Sequence, residues 1–314
     1  MQQIVTRTLL ASPTRRPGIY GLKRLSTSSS HLSLSRNHMH NISELKVQPL
    51  PIWGAEVHGV DVKQDLPVST INKIREAVTQ HRVLVFREQG VISGQRQVDI
   101  SQWFGPCEST FYKHPMSPHP DIFRVSNTDL EGCTGVGRKG WHIDGSFMAK
   151  PFAHSTYHIV SCPSQADTIF APLEEVVNSL PAERRERWER LHMLSDRRGG
   201  VAQPLIYPHP ITGRATMCLH TGMTDAYVWD LDTPQEQVAG VKETRHILGE
   251  LDQVFRREIG HLLYSHKWKP GDFIITDNLA VAHEASPQTQ MTVMDVGLRV
   301  MHRTTIAGQH RLHK

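Results

Sequence analysis

Apolar and polar positions switch between two periods along this chain. KVQPLPIWGAEVHGVDV (46–62) alternates in the strand manner around Gly54 and Gly59. VSTINKIREAVTQH (68–81) changes to helical spacing, with Ile71, Ile74 and Val78 three or four residues apart behind a Ser/Thr cap. RVLVFREQ (82–89) has the continuous apolar character of a short buried strand, and QRQVDISQWFG (95–105) reads as a helix closed by Gly105. DIFRVSN (121–127) is another strand. SLPAERRERWERLH (179–192) predicts a charged helix, and 241–258 a further one. PGDFIITDNLAVAH (270–283) and DVGLRVMHRTTIAG (295–308) are strands separated by a polar turn.

Strand-rich ends thus enclose a middle of helix and loop, roughly 172–262. This order predicts a mainly β fold with flanking helices, a sandwich or barrel with a long helical and loop insertion, not a βαβ wheel. No Walker loop occurs, and GVGRKG (135–140), although it fits GxGxxG, runs into GWHIDGSF rather than joining a strand to a helix, so no nucleotide site is expected. Cys107, Cys133, Cys162 and Cys218 form no CxxC, which fits free thiols in a reducing compartment.

Charge divides the chain. Residues 1–43 hold Arg7, Arg15, Arg16, Lys23, Arg24 and Arg36 and no acid, against a formal charge of +4 for all 314 residues. The remainder, 44–314, is therefore slightly acidic, which argues against a nucleic-acid partner. The Arg-rich, Ser-rich leader has the composition of an organellar transit peptide, with a disordered tail as the alternative. Mitochondrial import is the favoured reading, with a plastid or the cytoplasm as alternatives. No apolar run approaches 18 residues, so no membrane span is expected. Residues 44–314 are read as one domain.

The candidate chemistry starts at GWHIDGSF (140–147). On a strand, His142 and Asp144 point to one side and can offer an imidazole and a carboxylate to one ion. The pair is weak alone: HPD (119–121) repeats it in a proline-interrupted turn. A facial two-His-one-carboxylate site needs a second His and leaves three coordination positions open. WKPGDFIITDNLAVAHEASP (268–287) brings His283, and Arg299 and Arg303 follow on a strand. Their four-residue spacing places both guanidiniums on one face, suited to holding a carboxylate.

These segments resemble the taurine / 2,4-dichlorophenoxyacetate dioxygenase family of Fe(II)/2-oxoglutarate oxygenases. The resemblance runs from about Leu50 to Gly308. It is carried by GAEVHGVDV (54–62), HRVLVFREQ (81–89), WFG (103–105), WHIDGSF, QADTIFAPL (165–173), PGDFIITDNLAVAH and LRVMHRTTIAG (298–308). It implies a double-stranded β-helix (a cupin-like jelly roll), with Fe(2+), 2-oxoglutarate and O2 as reactants. His142, Asp144 and His283 would be the iron ligands. Thr168 and Arg299 would hold the distal carboxylate of 2-oxoglutarate, and Arg303 would lie near the keto-acid end or an anionic substrate. Succinate and CO2 would be released as a small anionic sulfonate, aryloxy acid or other carboxylate is hydroxylated. Dimers or tetramers are common in the family.

The resemblance loosens at the substrate. His114 matches a sulfonate-contacting His, but the Tyr expected three residues later is Ser117. Arg138 stands where the taurine enzymes carry Asn. HTGMTDAYVWD (220–230) departs from the family pattern. His114, Arg138 and Arg303 are the candidate substrate residues. The competing readings are a non-catalytic jelly-roll relative acting as a binding protein and a zinc hydrolase, although no HExxH supports the latter.

Overall fold

The computed structural model describes residues 45–109, 112–137, 140–163, 166–195 and 200–314. The leader and Arg138 lie outside the described residues. The fold is mainly β. One seven-stranded sheet runs in the order Lys46–Pro49, Ala55–His58, Val83–Phe86, Phe273–Asp277, His154–Ser161, Val300–Ile306, Phe123–Ser126. Its pairs are antiparallel except Ala55–His58 with Val83–Phe86. A three-stranded sheet places Thr168–Pro172 between Tyr264–His266 and Val281–Ala285.

The apolar runs are continuous because the large sheet is covered on both faces. Val83, Val85 and Ile274 turn inward to Tyr157, Phe170 and Val281, a cluster shared by the two sheets. Their alternates Leu84, Phe86, Phe273 and Ile275 pack outward on Ile74, Ala77 and Val78 of the helix Val68–His81. Each such side chain contributes about 1.5–3 kcal/mol of burial free energy. The turn after Asp277 is the crossing point: Phe273–Asp277 belongs to the large sheet and Val281–Ala285 to the small one.

Several expectations need correction. The helix Val68–His81 has the predicted bounds, but Pro67 occupies its N-cap and no side chain caps it. The next helix is Gly94–Ser101, capped by Ser93 and ended by Gln102, so Gly105 falls beyond it. The helix expected over 179–192 is broken at Pro181, which follows extended Leu180 and cannot continue an i→i−4 ladder. Only Ala182–Glu189 of it is helical; a separate helix, Leu173–Ser179, ends where it was expected to begin, and a strand, Leu191–Ser195, replaces its last turn. That strand joins Ala202–Pro204, Thr224–Trp229 and Gln237–Val238 in a four-stranded sheet inside the segment read as helix and loop. Val241–Gln253 is helical as predicted and runs into a π-helical turn, Val254–Glu258. The last strand begins only at Val300, after a short helix Val293–Val296 and Gly297. Among the described residues, no helix is long and apolar enough to cross a membrane.

Candidate metal and keto-acid site

His283 sits on Val281–Ala285, directly opposite Phe170. His142 exchanges two backbone hydrogen bonds with His283, at 3.2 and 2.9 Å. It is an isolated bridge residue rather than part of a strand, and Asp144 lies in the turn that follows. Strand alternation is therefore not what aligns this pair. The flanking residues Trp141, Ile143 and Ala282 belong to the largest hydrophobic cluster, which anchors the backbone on both sides.

His142, Asp144 and His283 each present a ligand atom, all within 4.8 Å of one another, and all three residues are buried. His142 Nδ1 lies 2.8 Å from the Gly140 carbonyl. A carbonyl only accepts, so Nδ1 carries the proton and Nε2 is left for a metal. Gly140 has φ +89, and a Cβ there would collide with Thr221 Oγ1.

The electrostatics suit a divalent ion. Burial pushes the His283 pKa down to about 3, aided by His142 and opposed by Asp144. His142 is lowered as well, chiefly by burial. Both imidazoles are thus neutral ligands at neutral pH. Burial opposes the charge on Asp144, but Arg303, His283, His142 and a Ser155 hydrogen bond outweigh it and hold the carboxyl well below its ordinary range. Ser155 Oγ and Tyr157 Oη donate to Asp144 Oδ2 at 3.0 and 3.2 Å, and Arg303 donates to Oδ1. Neutral N donors beside an ionised carboxylate are a donor set fit for Fe(II) or a similar ion.

A cavity of about 200 Å³ opens onto His142 and Asp144. Its walls include Tyr112, Phe123, Phe147, Phe152 and Met223, with Arg303 and His220 as polar members. Arg303 also stacks over Phe123, 4.9 Å from the ring centre.

Arg299 precedes the strand Val300–Ile306 and is 4% exposed. Among the described residues its guanidinium donates to Met301 Sδ at 3.7 Å and its Nε has no partner. Burial lowers its pKa to about 10, with Cys162 opposing. A buried guanidinium with no acid beside it is an unfinished ion pair, and a ligand carboxylate would complete it. Thr168 is buried and its Oγ1 accepts from Trp268 Nε1 at 3.0 Å. It pairs with Ala285, so it shares a sheet face with Phe170 opposite His283. Cys162 Sγ donates to Trp268 O at 3.4 Å, which ties the Thr168 and Arg299 surroundings together. The donor set therefore fits a keto acid as well as a metal.

A family model described as taurine catabolism dioxygenase TauD, TfdA family matches residues 46–305. The chain belongs to this family. An alpha-ketoglutarate-dependent sulfate ester dioxygenase of Pseudomonas putida is 27% identical, covering 85% of this chain and 90% of its own. An alpha-ketoglutarate-dependent 2,4-dichlorophenoxyacetate dioxygenase of Cupriavidus pinatubonensis is 27% identical, covering 74% and 88%. Among solved structures, a taurine dioxygenase from Burkholderia xenovorans superposes with TM-score 0.67 at 26% identity, covering 84% of this chain and 91% of that one.

Within this TauD/TfdA-family frame, not every candidate residue reaches the cavity. His114 is turned to its own loop: Nε2 lies 2.9 Å from Asp129 O, and Nδ1 accepts from Met116 N at 3.2 Å. It does not line the cavity. Sequence reasoning missed His220, whose ring stacks on His142 at 4.7 Å and whose Nδ1 has no partner among the described residues. Its signal lay in the HTG departure at 220–222. It also missed Ser155 and Tyr157, which come to Asp144 only through the fold.

Proposed function

We propose that this protein is an Fe(II)- and 2-oxoglutarate-dependent dioxygenase that hydroxylates a small organic monoanion with an apolar or aromatic body. The observation that carries the reading is the convergence of the buried residues His142, Asp144 and His283, the first two of which line an aromatic cavity. His142 and His283 would bind iron as neutral imidazoles and Asp144 as a carboxylate. Arg299 and Thr168 would hold the distal carboxylate of 2-oxoglutarate. Iron, 2-oxoglutarate and O2 together would supply oxidative decarboxylation, one oxygen atom going to succinate as CO2 leaves and the other to the hydroxylated substrate. The protein's part is to orient the target C–H and to exclude water, for which Phe123, Phe147, Phe152 and Met223 are placed.

Charge balance supports an anionic substrate. Arg299 and Arg303 against Asp144 leave the site one positive charge in excess. A divalent metal and a dianionic keto acid offset each other, so the excess remains for the substrate. The two facing sheets support the jelly-roll reading. The acid-free leader supports import into mitochondria, which mass spectrometry of the mature N-terminus would test. A succinate-release screen over aryloxy acids, alkyl sulfates, sulfonates and other small carboxylates tests the activity. Succinate formed in step with a hydroxylated product is expected from at least one class. No succinate from any class, with or without substrate, would contradict the proposal.

A further inference from the structure

Asn278 ends the hydrophobic strand Phe273–Asp277 and lies five residues before His283. It is 1% exposed. Its side chain grips the main chain of Asp144 on both sides. Oδ1 accepts from Asp144 N at 2.8 Å, and Nδ2 donates to Asp144 O at 2.9 Å. The second Nδ2 hydrogen goes to Phe152 O at 2.7 Å, and Asn278 N donates to Ala153 O at 3.0 Å. Residues 152–157 also supply Ser155 and Tyr157 to the Asp144 carboxylate.

Asp144 sits in a turn, so no ladder of strand hydrogen bonds fixes its backbone. One amide makes up for this, joining the turn to the strand behind it and to the segment that leads into His283. The task needs one acceptor and two donors at a single reach. Asn offers them; Asp has no donor when ionised, Ala has neither, and Gln is a methylene too long.

We infer that Asn278 is a positioning residue for the metal site: it sets the place of the Asp144 carboxylate relative to His142 and His283, and so sets metal affinity. The inference rests on the metal reading above. Outer partners of metal ligands change affinity by about 10–100-fold when lost.

The test is a titration of the full chain with Mn(II), following the free-ion signal by electron paramagnetic resonance. Wild type, Asn278→Asp, Asn278→Ala and His142→Ala are compared, with circular dichroism and metal-free thermal unfolding of each. The expected result is tight binding by wild type and affinity weaker by about 10–100-fold in the Asn278 variants. Each should keep the wild-type circular-dichroism spectrum and a cooperative metal-free unfolding transition at reduced stability, which a general loss of structure would not allow. The isosteric Asn278→Asp decides the matter if Asn278→Ala does not fold. A folded variant that binds Mn(II) as wild type does overturns the inference, and so does failure of both variants to fold. If wild type binds no better than His142→Ala, the metal reading falls and this inference with it.

Discussion

Arg303 donates a charged hydrogen bond to Oδ1 of Asp144, so the second arginine of the C-terminal strand is tied directly to a candidate metal ligand. Arg303 is the largest influence holding Asp144 ionised against burial. Without it, burial prevails and the Asp144 pKa rises. Arg303→Met should therefore move the acid limb of Mn(II) binding toward neutral pH. The loss of affinity between pH 7.5 and pH 5.5 should be greater than in wild type. Arg303 also lowers the pKa of His142 and His283, so its loss moves their protonation toward neutral pH as well and shifts the acid limb in the same direction. Superimposable pH profiles would show that Arg303 does not govern the carboxylate.

Arg299 leads to two effects of opposite sign. Replacing a buried unpaired cation with an apolar side chain of similar length relieves desolvation, so Arg299→Met should make the ligand-free protein more stable by about 1–3 kcal/mol. The same change removes the proposed carboxylate anchor, and the 2-oxoglutarate requirement should rise by about 10²-fold or more. Urea unfolding without ligand and 2-oxoglutarate titration check the two halves. An unchanged 2-oxoglutarate requirement would place the anchor elsewhere.

Away from the metal site, His302 Nε2 lies 2.8 Å from an Arg124 nitrogen, so it accepts from the guanidinium. Burial, then Arg124 and His158, push its pKa from 6.5 down to about 3. A folded pKa below the unfolded one means that the unfolded chain binds more protons between these values. The His302 contribution is complete above about pH 6.5 and declines as the pH falls toward about 3. At pH 5 it should weaken the protein by up to about 2 kcal/mol. His302→Gln should shrink the stability loss between pH 7 and pH 5, measured by urea unfolding, by up to that amount. An equal loss in both proteins would remove His302 as a source of the acid sensitivity.

Much of the site was legible in the sequence because its chemistry is carried by side chains that are hard to bury without purpose. His142, Asp144, His283 and Arg299 stood out for that reason, and continuous apolar runs such as VLVF announced strands covered on both faces. Three kinds of feature were not legible. The strands of the middle segment are only two to six residues long, too short for alternation to outweigh the charged helix beside them. Asn278 looked like an ordinary turn residue, because its partners Asp144 and Phe152 lie more than a hundred residues away in sequence. His114 was drawn toward the substrate by its alignment with a family motif, but the local turn through Met116 and Asp129 occupies both of its ring nitrogens.

His142, Asp144 and His283 are proposed to bind iron in a geometry open to 2-oxoglutarate. Anaerobic titration with Fe(II) and 2-oxoglutarate tests this central claim most directly by visible absorption. A metal-to-ligand charge-transfer band should grow to one equivalent of keto acid in wild type and be absent in His142→Ala. A well-folded wild-type protein that develops no such band would contradict the claim.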